Sequence, residues 1–314
     1  MTGGPGAAPA GVSQAARCLA LDSAAVAACA ALAAHHVPAL LLKGPGLSRR
    51  LGVLGRAYGD IDLLVAPGSF DRAQQVLAEH GCHSPLADDP AGYERPWKLP
   101  GPVTLTIDLH RGFHGVGDRE AFWAALHASA EPLPLAGGAV RVPGRTAAAL
   151  LVALHAAVPG NSAKPRADLV RALAVFPPDT WVAAARLADR VDAAAVFAVG
   201  LRCVPAGVEL AATLALTREA TAVSWLRARR GSSTALGLAR LAELPTTVAR
   251  LRQLTRGLYP PADVMRYNFP LAHRGSAGML AARVVRMGRH AGGMPRALVE
   301  LRTAARRIAE DTGA

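Results

Sequence analysis

Two acidic side chains one residue apart are the most chemically suggestive feature of this chain. Asp60 and Asp62 stand at alternate positions of DIDLLV. Because side chains alternate between the faces of a strand, both carboxylates should point to one side while Ile61, Leu63 and Val65 fill the other. Adjacent carboxylates repel each other, so a cation, hydrogen bonds or a proton must offset the repulsion. Mg²⁺ prefers carboxylate oxygens and keeps several waters, so the pair predicts a magnesium site that faces phosphates.

A third carboxylate occurs in a second apolar run, LTIDLH. The alternation of this run predicts a strand with its leucines and isoleucine towards the core and with Asp108 and His110 on the other face. If the two strands are neighbours, Asp108 stands beside Asp60 and Asp62. His110 would then contact substrate or a nearby water, or make a structural hydrogen bond.

A short lysine-glycine turn precedes the acidic pair. The apolar run Leu40–Leu42 predicts a buried strand, and KGPG at residues 43–46 predicts a sharp turn after it. A turn this tight can approach a phosphate, with Lys43 as a point charge and backbone N–H groups at the following helix start as donors. The alternative is a solvated loop lysine. Arg56, four residues before Asp60, either contacts phosphate or pairs with a carboxylate.

The order of these segments resembles a known superfamily, the nucleotidyltransferases that include DNA polymerase β and the antibiotic-modifying nucleotidyltransferases. More narrowly, LLLKGPG, the arginine before YGDIDLLV, and IDLH resemble a bacterial nucleotidyltransferase family often encoded beside genes for ribosomally made, modified peptides, including lasso peptides. LLVALHAAV and KPRADLVRAL resemble the later pattern of that family. The wider superfamily usually has a Gly-Ser pair at the head of the first helix, whereas this chain has Lys43-Gly44 there.

The resemblance implies a fold and a set of site residues. The fold is α/β, a polymerase-β-like nucleotidyltransferase domain with a mixed sheet, followed by an all-helical C-terminal domain. Two Mg²⁺ ions, with Mn²⁺ as an alternative, would be held by Asp60, Asp62 and Asp108, with Asp108 as the candidate base. The nucleotide-binding residues would be Lys43, Gly44, Gly46 and Arg56, and further substrate or supporting residues would be His110, His155, Lys164 and Asp168.

The implied activity is transfer of a nucleotidyl group from a nucleoside triphosphate, such as ATP, to a peptide or natural-product acceptor with release of pyrophosphate. RNA is the alternative acceptor. A second alternative, from a different class, is a nucleotidyltransferase-like binding module that recruits a ligand without catalysing transfer.

Composition predicts a globular protein outside the membrane. The chain has 314 residues, 51% hydrophobic and 18% charged, which is enough for two domains. Residues 1–18 read as a disordered tail without the basic segment of a secretory signal, so we expect a cytoplasmic protein. The uncharged stretch Ser23–Leu42 is interrupted by two histidines and Pro38, which disfavours a membrane span. The four cysteines form no C-x-x-C pair, which disfavours a zinc site or a disulfide framework.

Turn and cap residues divide the rest of the chain. Ser69 and Asp118 are expected to begin helices, and Gly137-Gly138 to turn a hairpin. Residues 83–102 read as a loop near the site, in which Tyr93, Arg95, Trp97 and Lys98 either touch substrate or form an ordinary surface loop. No strand is expected beyond Thr146. We therefore predict a catalytic domain over residues 19–144 and a helical substrate-binding domain over residues 145–314.

The charge of the chain is concentrated in its last third. Residues 225–314 contain sixteen arginines against five acidic residues, so they carry +11 of the net +12. Such a region attracts an anionic partner, whether nucleotide, peptide or RNA, or is simply a solvated helical surface.

Overall fold

The computed structural model describes residues 10–53, 57–89, 92–101, 103–158, 163–216, 221–229 and 231–312. The chain divides into two compact units, the first within residues 1–84, 88–151 and 175–192, and the second within residues 85–87, 152–174 and 193–314. This division differs from the single boundary expected after residue 144, because residues 145–151 and 175–192 group with the first unit.

The first unit contains a four-stranded mixed sheet, as the sequence predicts. Its strands are β1 (Ala39–Leu41), β2 (Ile61–Val65), β3 (Glu94–Lys98) and β4 (Thr106–His110), in the order β1-β2-β4-β3. The central strands β2 and β4 are parallel, and each outer strand is antiparallel to its neighbour. A separate hairpin consists of β5 (Glu131–Leu135) and β6 (Gly138–Val142).

The helices are numbered in chain order. The first unit contains α1 (Ala10–Ala34), α2 (Pro45–Arg50), α3 (Phe70–Glu79), α4 (Arg119–Ala128) and α7 (Pro178–Arg190). Helices α5 (Arg145–Ala156) and α6 (Ala163–Val175) each have residues in both units. The second unit contains α8 (Ala194–Leu201), α9 (Pro205–Thr213), α10 (Ala222–Ala228), α11 (Ser233–Glu243), α12 (Thr247–Leu258), α13 (Ala262–Asn268) and α14 (Gly275–Thr312).

Helix α1 begins earlier than the sequence suggests. It starts at Ala10, so residues 10–18, which we assigned to the tail, are helical. Residues Gln14–Ala34 are long and apolar enough to cross a membrane by length and composition alone, a test that the core helix of a globular protein also passes. One face of α1 is buried in the core of the first unit, at Leu21, Ala25, Ala28 and Leu32. This spacing of three, four and seven residues is that of a helix packed along one side.

The strand that carries the acidic pair is buried on both faces. All five residues of β2 are buried, including Asp62 and Leu64 on the face opposite Ile61. The sequence predicts one buried face only. The second face is covered as well, since Lys43 and His110 contact Asp62, which is only 4% exposed.

The loop predicted over residues 83–102 is wrong at its centre, because it contains strand β3. Pro96 lies within this strand, opposite Asp108. A proline cannot donate to a sheet, which is why ERPWK reads as a loop, but β3 is the edge strand of its sheet, with a single bridge from Lys98 to His83 on its outer side among the described residues. An edge strand tolerates the missing donor.

Local turn and cap predictions have mixed outcomes. Asp118 caps α4 as expected, since its Oδ1 accepts a hydrogen bond from the Ala121 amide at 2.9 Å. Ser69 occupies the corresponding position before α3 but makes no capping bond with its side chain. The β5–β6 hairpin is confirmed, and its two turn residues, Ala136 and Gly137, have φ of 45° and 78°. Positive φ at both positions matches the twist of a two-residue hairpin.

Beyond Thr146 the described residues form helices joined by turns and short irregular segments, so the predicted helical C-terminal part is confirmed. In the second unit, α10, α11 and α14 share a small core that includes Leu226, Leu236 and Ala297. Ser232 caps α11 by accepting from the Ala235 amide, and Thr246 caps α12 by accepting from the Ala249 amide.

Candidate active site

The sheet register places Asp62 and Asp108 side by side. Strands β2 and β4 pair in parallel with Ile61 opposite Ile107 and Asp62 opposite Asp108. Side chains at paired positions of neighbouring strands project from the same face, about 4.8 Å apart across the sheet. The adjacency expected from the two apolar runs is therefore observed.

Asp62 is buried and has two cationic or hydrogen-bonding neighbours. The Lys43 ammonium donates to its Oδ1 at 2.7 Å, and His110 Nε2 lies 3.2 Å from the same oxygen. Burial by itself would raise the pKa of Asp62, but the attraction of Lys43 and the hydrogen bond from His110 outweigh it and hold the pKa well below the usual value. Asp62 is therefore a carboxylate at neutral pH.

The local backbone explains how Lys43 reaches this position. Strand β1 pairs with β2, and the pairing continues one residue further through the Leu42 amide, which donates to the Asp62 carbonyl at 3.0 Å. Lys43 follows directly, so its side chain starts beside the acidic strand. Burial alone would lower the pKa of Lys43, yet Asp62, Asp60 and Glu94 raise it above the ordinary value. Lys43 is thus not a solvated loop lysine; its contact with phosphate stays a prediction.

Asp108 has an opposite electrostatic character. Burial and the charge of Asp62 raise its pKa to about 6, with smaller contributions from Asp60 and Glu94, while His110 lowers it in part. Two ionised carboxylates on one face repel each other. Asp62 is paired with Lys43 and stays ionised, so the repulsion raises the pKa of Asp108. The two groups form an asymmetric pair.

Glu94 is a fourth acidic residue at this face, and the sequence analysis missed it. It lies on β3 opposite His110, and its Oε2 is 3.5 Å from His110 Nδ1. Glu94 also raises the pKa of both Lys43 and Asp108. The signal was available, since Glu94 begins the short run ERPWK, but Pro96 concealed the strand.

The imidazole of His110 is fully buried between two carboxylates. It lies between Asp62 and Glu94, and it stacks near the rings of Tyr93, at 6.3 Å, and Phe113, at 5.9 Å. Of the two roles left open for His110, the structure shows the structural hydrogen bond. Tyr93, for which contact with substrate and a place in an ordinary surface loop were both left open, packs on this histidine.

Asp60, Asp62 and Asp108 are of a residue type that binds divalent ions, although their side chains are not gathered around one point. Among the described residues, no three His, Cys, Asp or Glu side chains lie close enough together to hold a metal ion. Asp62 is directed to Lys43 and His110, and Asp60 is exposed at the start of β2. Asp60 nevertheless lies within electrostatic reach, because its charge raises the pKa of Lys43 and Asp108. Carboxylate oxygens are the ligands that Mg²⁺ prefers, so the chemistry of these residues fits the ion, whereas their described positions do not gather them around it.

Glycine is needed at positions 44 and 46 of the turn for two different structural reasons. Gly44 has φ of +63°, which a side chain rarely adopts, and it lies beside the Tyr58 ring. Gly46 faces Val142, whose Cγ1 would be 2.8 Å from an added Cβ, so a glycine is required there for packing. Their contact with a nucleotide stays a prediction. Arg56 lies outside the described residues.

Three residues of the segment expected either to touch substrate or to form a surface loop lie on β3 and have structural contacts within the first unit. Trp97 is 5% exposed and belongs to the core of the first unit. Arg95 Nε donates to Ser84 Oγ at 3.0 Å, and the guanidinium lies over the Trp97 ring. Lys98 donates to Thr106 Oγ1 at 2.8 Å.

The remaining predicted residues lie in the second unit. His155, near the end of α5, is half-buried; Lys164 at the start of α6 is exposed; and Asp168 within α6 is 8% exposed. Their expected roles stay predictions, whereas Asp60, Asp62, Asp108, Lys43 and His110 are together in the first unit.

Removing the charge of Asp108 should stabilise the metal-free protein. The pKa of Asp108 is about 6, above the value near 3.9 for an unfolded chain. The folded state therefore binds the proton more tightly, and the ionised carboxyl destabilises it increasingly as the pH rises from about 4 through about 6. In EDTA at pH 8 we expect Asp108→Asn to raise the free energy of unfolding by about 1–3 kcal/mol.

Urea denaturation at pH 8 and pH 4 checks this expectation, since the difference should vanish at the lower pH. Glu120→Gln, on the exposed first turn of α4, is the matched control and should change little at either pH. An Asp108→Asn protein less stable than wild type at pH 8 would contradict the electrostatic description of the site.

The mixed four-stranded sheet with acidic residues on its inner strands defines a nucleotidyltransferase-like α/β fold. The model of the family described as uncharacterised nucleotidyltransferase matches residues 10–206, which is more than half of the chain. The chain belongs to this family.

Two solved structures are similar to parts of the chain. The antibiotic-resistance factor ANT(2'')-Ia, determined in solution, is 20% identical with a TM-score of 0.40, over 54% of this chain and 94% of that one. A crystal structure of an antigenic nucleotidyltransferase-like protein from Paracoccidioides brasiliensis is 13% identical with a TM-score of 0.37, over 56% of this chain and 91% of that one. No curated protein matches the sequence.

Proposed function

We propose that this protein transfers a nucleotidyl group from a nucleoside triphosphate to a hydroxyl of a peptide or natural-product acceptor, releasing pyrophosphate. The observation that supports this proposal best is the register that sets Asp62 opposite Asp108 on two parallel strands, with Lys43 at the end of the next strand. This arrangement combines two carboxylates with a buried cation on one face. It suits a triphosphate and its metal better than an uncharged substrate.

In the proposed reaction the acceptor oxygen attacks the α-phosphorus, and the bond between that phosphorus and the bridging oxygen of pyrophosphate breaks. Asp108 accepts the proton of the acceptor hydroxyl, since it faces the same side of the sheet as Asp62. Lys43 supplies a positive charge to the phosphates, and His110 holds the Asp62 carboxylate in place.

A divalent ion belongs to this proposal. Asp60, Asp62 and Asp108 would hold Mg²⁺, with two ions as in the expected mechanism and Mn²⁺ as an alternative. When bound, the ion neutralises phosphate charge and stabilises the leaving pyrophosphate. We place the protein in the cytoplasm, where nucleoside triphosphates and Mg²⁺ are available.

The acceptor is the least constrained part of the proposal. The peptide or natural-product choice rests on the resemblance to the family encoded near modified-peptide genes. RNA is the alternative, and the excess of arginine in residues 225–314 supports it. The segment from Tyr93 to Lys98 adds no support for either acceptor, because Arg95, Trp97 and Lys98 lie on β3 and have structural contacts.

A binding module without transfer is a second candidate, and one observation favours it. The Lys43 ammonium is bonded to Asp62, and no three metal-binding side chains are gathered among the described residues. A lysine that neutralises the acidic site permanently would leave a protein that binds nucleotide without catalysing transfer.

One experiment separates these possibilities. The purified protein is incubated with Mg²⁺, each labelled nucleoside triphosphate, and either candidate peptides or total RNA, and the products are examined by mass spectrometry with pyrophosphate detection. We expect label in the peptide fraction together with pyrophosphate. Label in RNA alone would refute the peptide proposal, and calorimetric binding of nucleotide with no pyrophosphate across all acceptors would support the binding module.

A further inference from the structure

A cavity of about 390 Å³ lies between α2 and the β5–β6 hairpin in the first unit. Its wall carries three arginines, Arg49, Arg50 and Arg145, and one acidic residue, Glu131. Three guanidinium groups against one carboxylate give the cavity a net charge of +2. A volume of this size is typical of sites for small molecules.

Arg50 is held rigidly at this cavity. Its Nε and Nη2 both donate to the Pro143 carbonyl, at 3.0 and 2.6 Å, and Nη2 lies 3.0 Å from Glu131 Oε2. The side chain is 15% exposed, whereas that of Glu131 is 59% exposed. These bonds fix the plane of the guanidinium while its Nη1 takes no part in them. A preoriented guanidinium loses less entropy when it binds a ligand.

Arg49 and Arg145 differ from Arg50 in their exposure to solvent and in their ion pairing. Both are exposed, and within the part of the chain that the structure describes neither forms an ion pair. Two arginines at one cavity repel each other, and an anion between them would remove that repulsion. Their charges are therefore available to a ligand.

A helix start adds to the positive potential. Arg145 is the first residue of α5, whose hydrogen bonding begins with the Ala148 amide donating to the Gly144 carbonyl at 2.9 Å. The first turn of α5 contains no acidic side chain. The first amides of a helix have no partners within it, and its N-terminus carries a partial positive charge that favours anions.

We infer that this cavity binds a phosphate dianion, recognised by Arg49, Arg50 and Arg145 at the start of α5. Arginine pairs with phosphate through parallel hydrogen bonds, and a charge of +2 matches a dianion. Free phosphate, the phosphates of a nucleotide and a phosphorylated organic compound share this chemistry. The inference does not depend on nucleotidyl transfer.

Isothermal titration calorimetry at low ionic strength tests the inference with three probes, which are inorganic phosphate, ADP without Mg²⁺, and glycerol 3-phosphate. Wild type is compared with the double variant Arg49→Gln/Arg145→Gln. We expect at least one probe to bind wild type with at least about tenfold higher affinity than the double variant, which corresponds to about 1.4 kcal/mol. The probe with the strongest arginine dependence identifies the source of the phosphate.

Arg186→Gln, which removes an exposed arginine of α7 in the same unit, is the matched control and should bind like wild type. Both substituted arginines of the double variant are exposed, so it should fold, and circular dichroism verifies this. Equal binding by wild type and the double variant, an equal loss in the control, or no saturable binding of any probe would overturn the inference. Repeating the titrations with Asp62→Asn separates this site from the acidic one, because binding in the cavity should persist there.

Discussion

Replacing Asp62 by asparagine is expected to lower the rate of nucleotidyl transfer by about 10³-fold, the loss typical of removing one preorganised charge or donor from an active site. Asp62 is the most buried carboxylate of the site, and the ion pair with Lys43 keeps it ionised at neutral pH. An amide of the same size keeps the shape but loses the charge. It therefore cannot bind a divalent ion as the carboxylate would.

Steady-state measurement of pyrophosphate release with the acceptor identified by mass spectrometry checks this expectation. Asp62→Glu keeps the charge and should retain more activity than Asp62→Asn, which separates loss of charge from loss of fit. Glu120→Gln is the control for a surface acidic residue. Transfer by a folded Asp62→Asn protein within about tenfold of wild type, or about 1.4 kcal/mol of barrier, would remove Asp62 from the proposed active site.

Replacing Lys43 by methionine is expected to destabilise the protein by about 3 kcal/mol at pH 7. The substitution removes the ammonium 2.7 Å from Asp62 and leaves a carboxylate that is 4% exposed, with His110 as its remaining side-chain partner among the described residues. Removing one member of a buried ion pair typically costs about 3–5 kcal/mol, because the other charge stays desolvated. The lower end applies because Lys43 itself is 18% exposed.

The stability difference between wild type and Lys43→Met should depend on pH, in a direction set by the pKa of Asp62. The pKa of Asp62 is lowered in the folded protein, so its pairing stabilises the fold above the unfolded pKa of about 3.9, and this contribution is lost as the pH falls towards the folded pKa. The difference between wild type and Lys43→Met should therefore be largest near pH 7 and shrink below about pH 4. Urea denaturation at both values measures it.

Two further variants make the result specific to the ion pair. Lys43→Met combined with Asp62→Leu removes both charges and should recover most of the lost stability. Lys98→Met, which removes the hydrogen bond to Thr106, is the control for loss of a lysine outside the ion pair and should cost less than Lys43→Met, about 1.5 kcal/mol. A single Lys43→Met variant as stable as wild type at pH 7 would show that the ammonium does not neutralise Asp62.

Much of the candidate site follows from short sequence patterns. The alternation in DIDLLV and TIDLH identifies two strands and the carboxylates on them, because side-chain direction in a strand is a local property with a period of two. The Asp118 cap and the hairpin are equally local, and both are present, although the hairpin turns at Ala136 and Gly137, one residue earlier than the expected Gly137-Gly138. Such features depend on a few neighbouring residues and need no knowledge of distant ones.

The tertiary structure was needed to identify which residues contact each side chain of the site. The sequence alone determined that Asp60, Asp62 and Asp108 lie on or beside apolar strands and that Lys43 ends another one. Only the folded sheet decided that Lys43 and His110 share one oxygen of Asp62, and that Glu94 completes the acidic face from an edge strand concealed by Pro96. The physical reason is that charges interact through space, so the pKa of a buried carboxylate depends on residues as far along the chain as His110 is from Asp62. Sequence spacing specifies which way a side chain points, and packing of distant segments specifies what it meets.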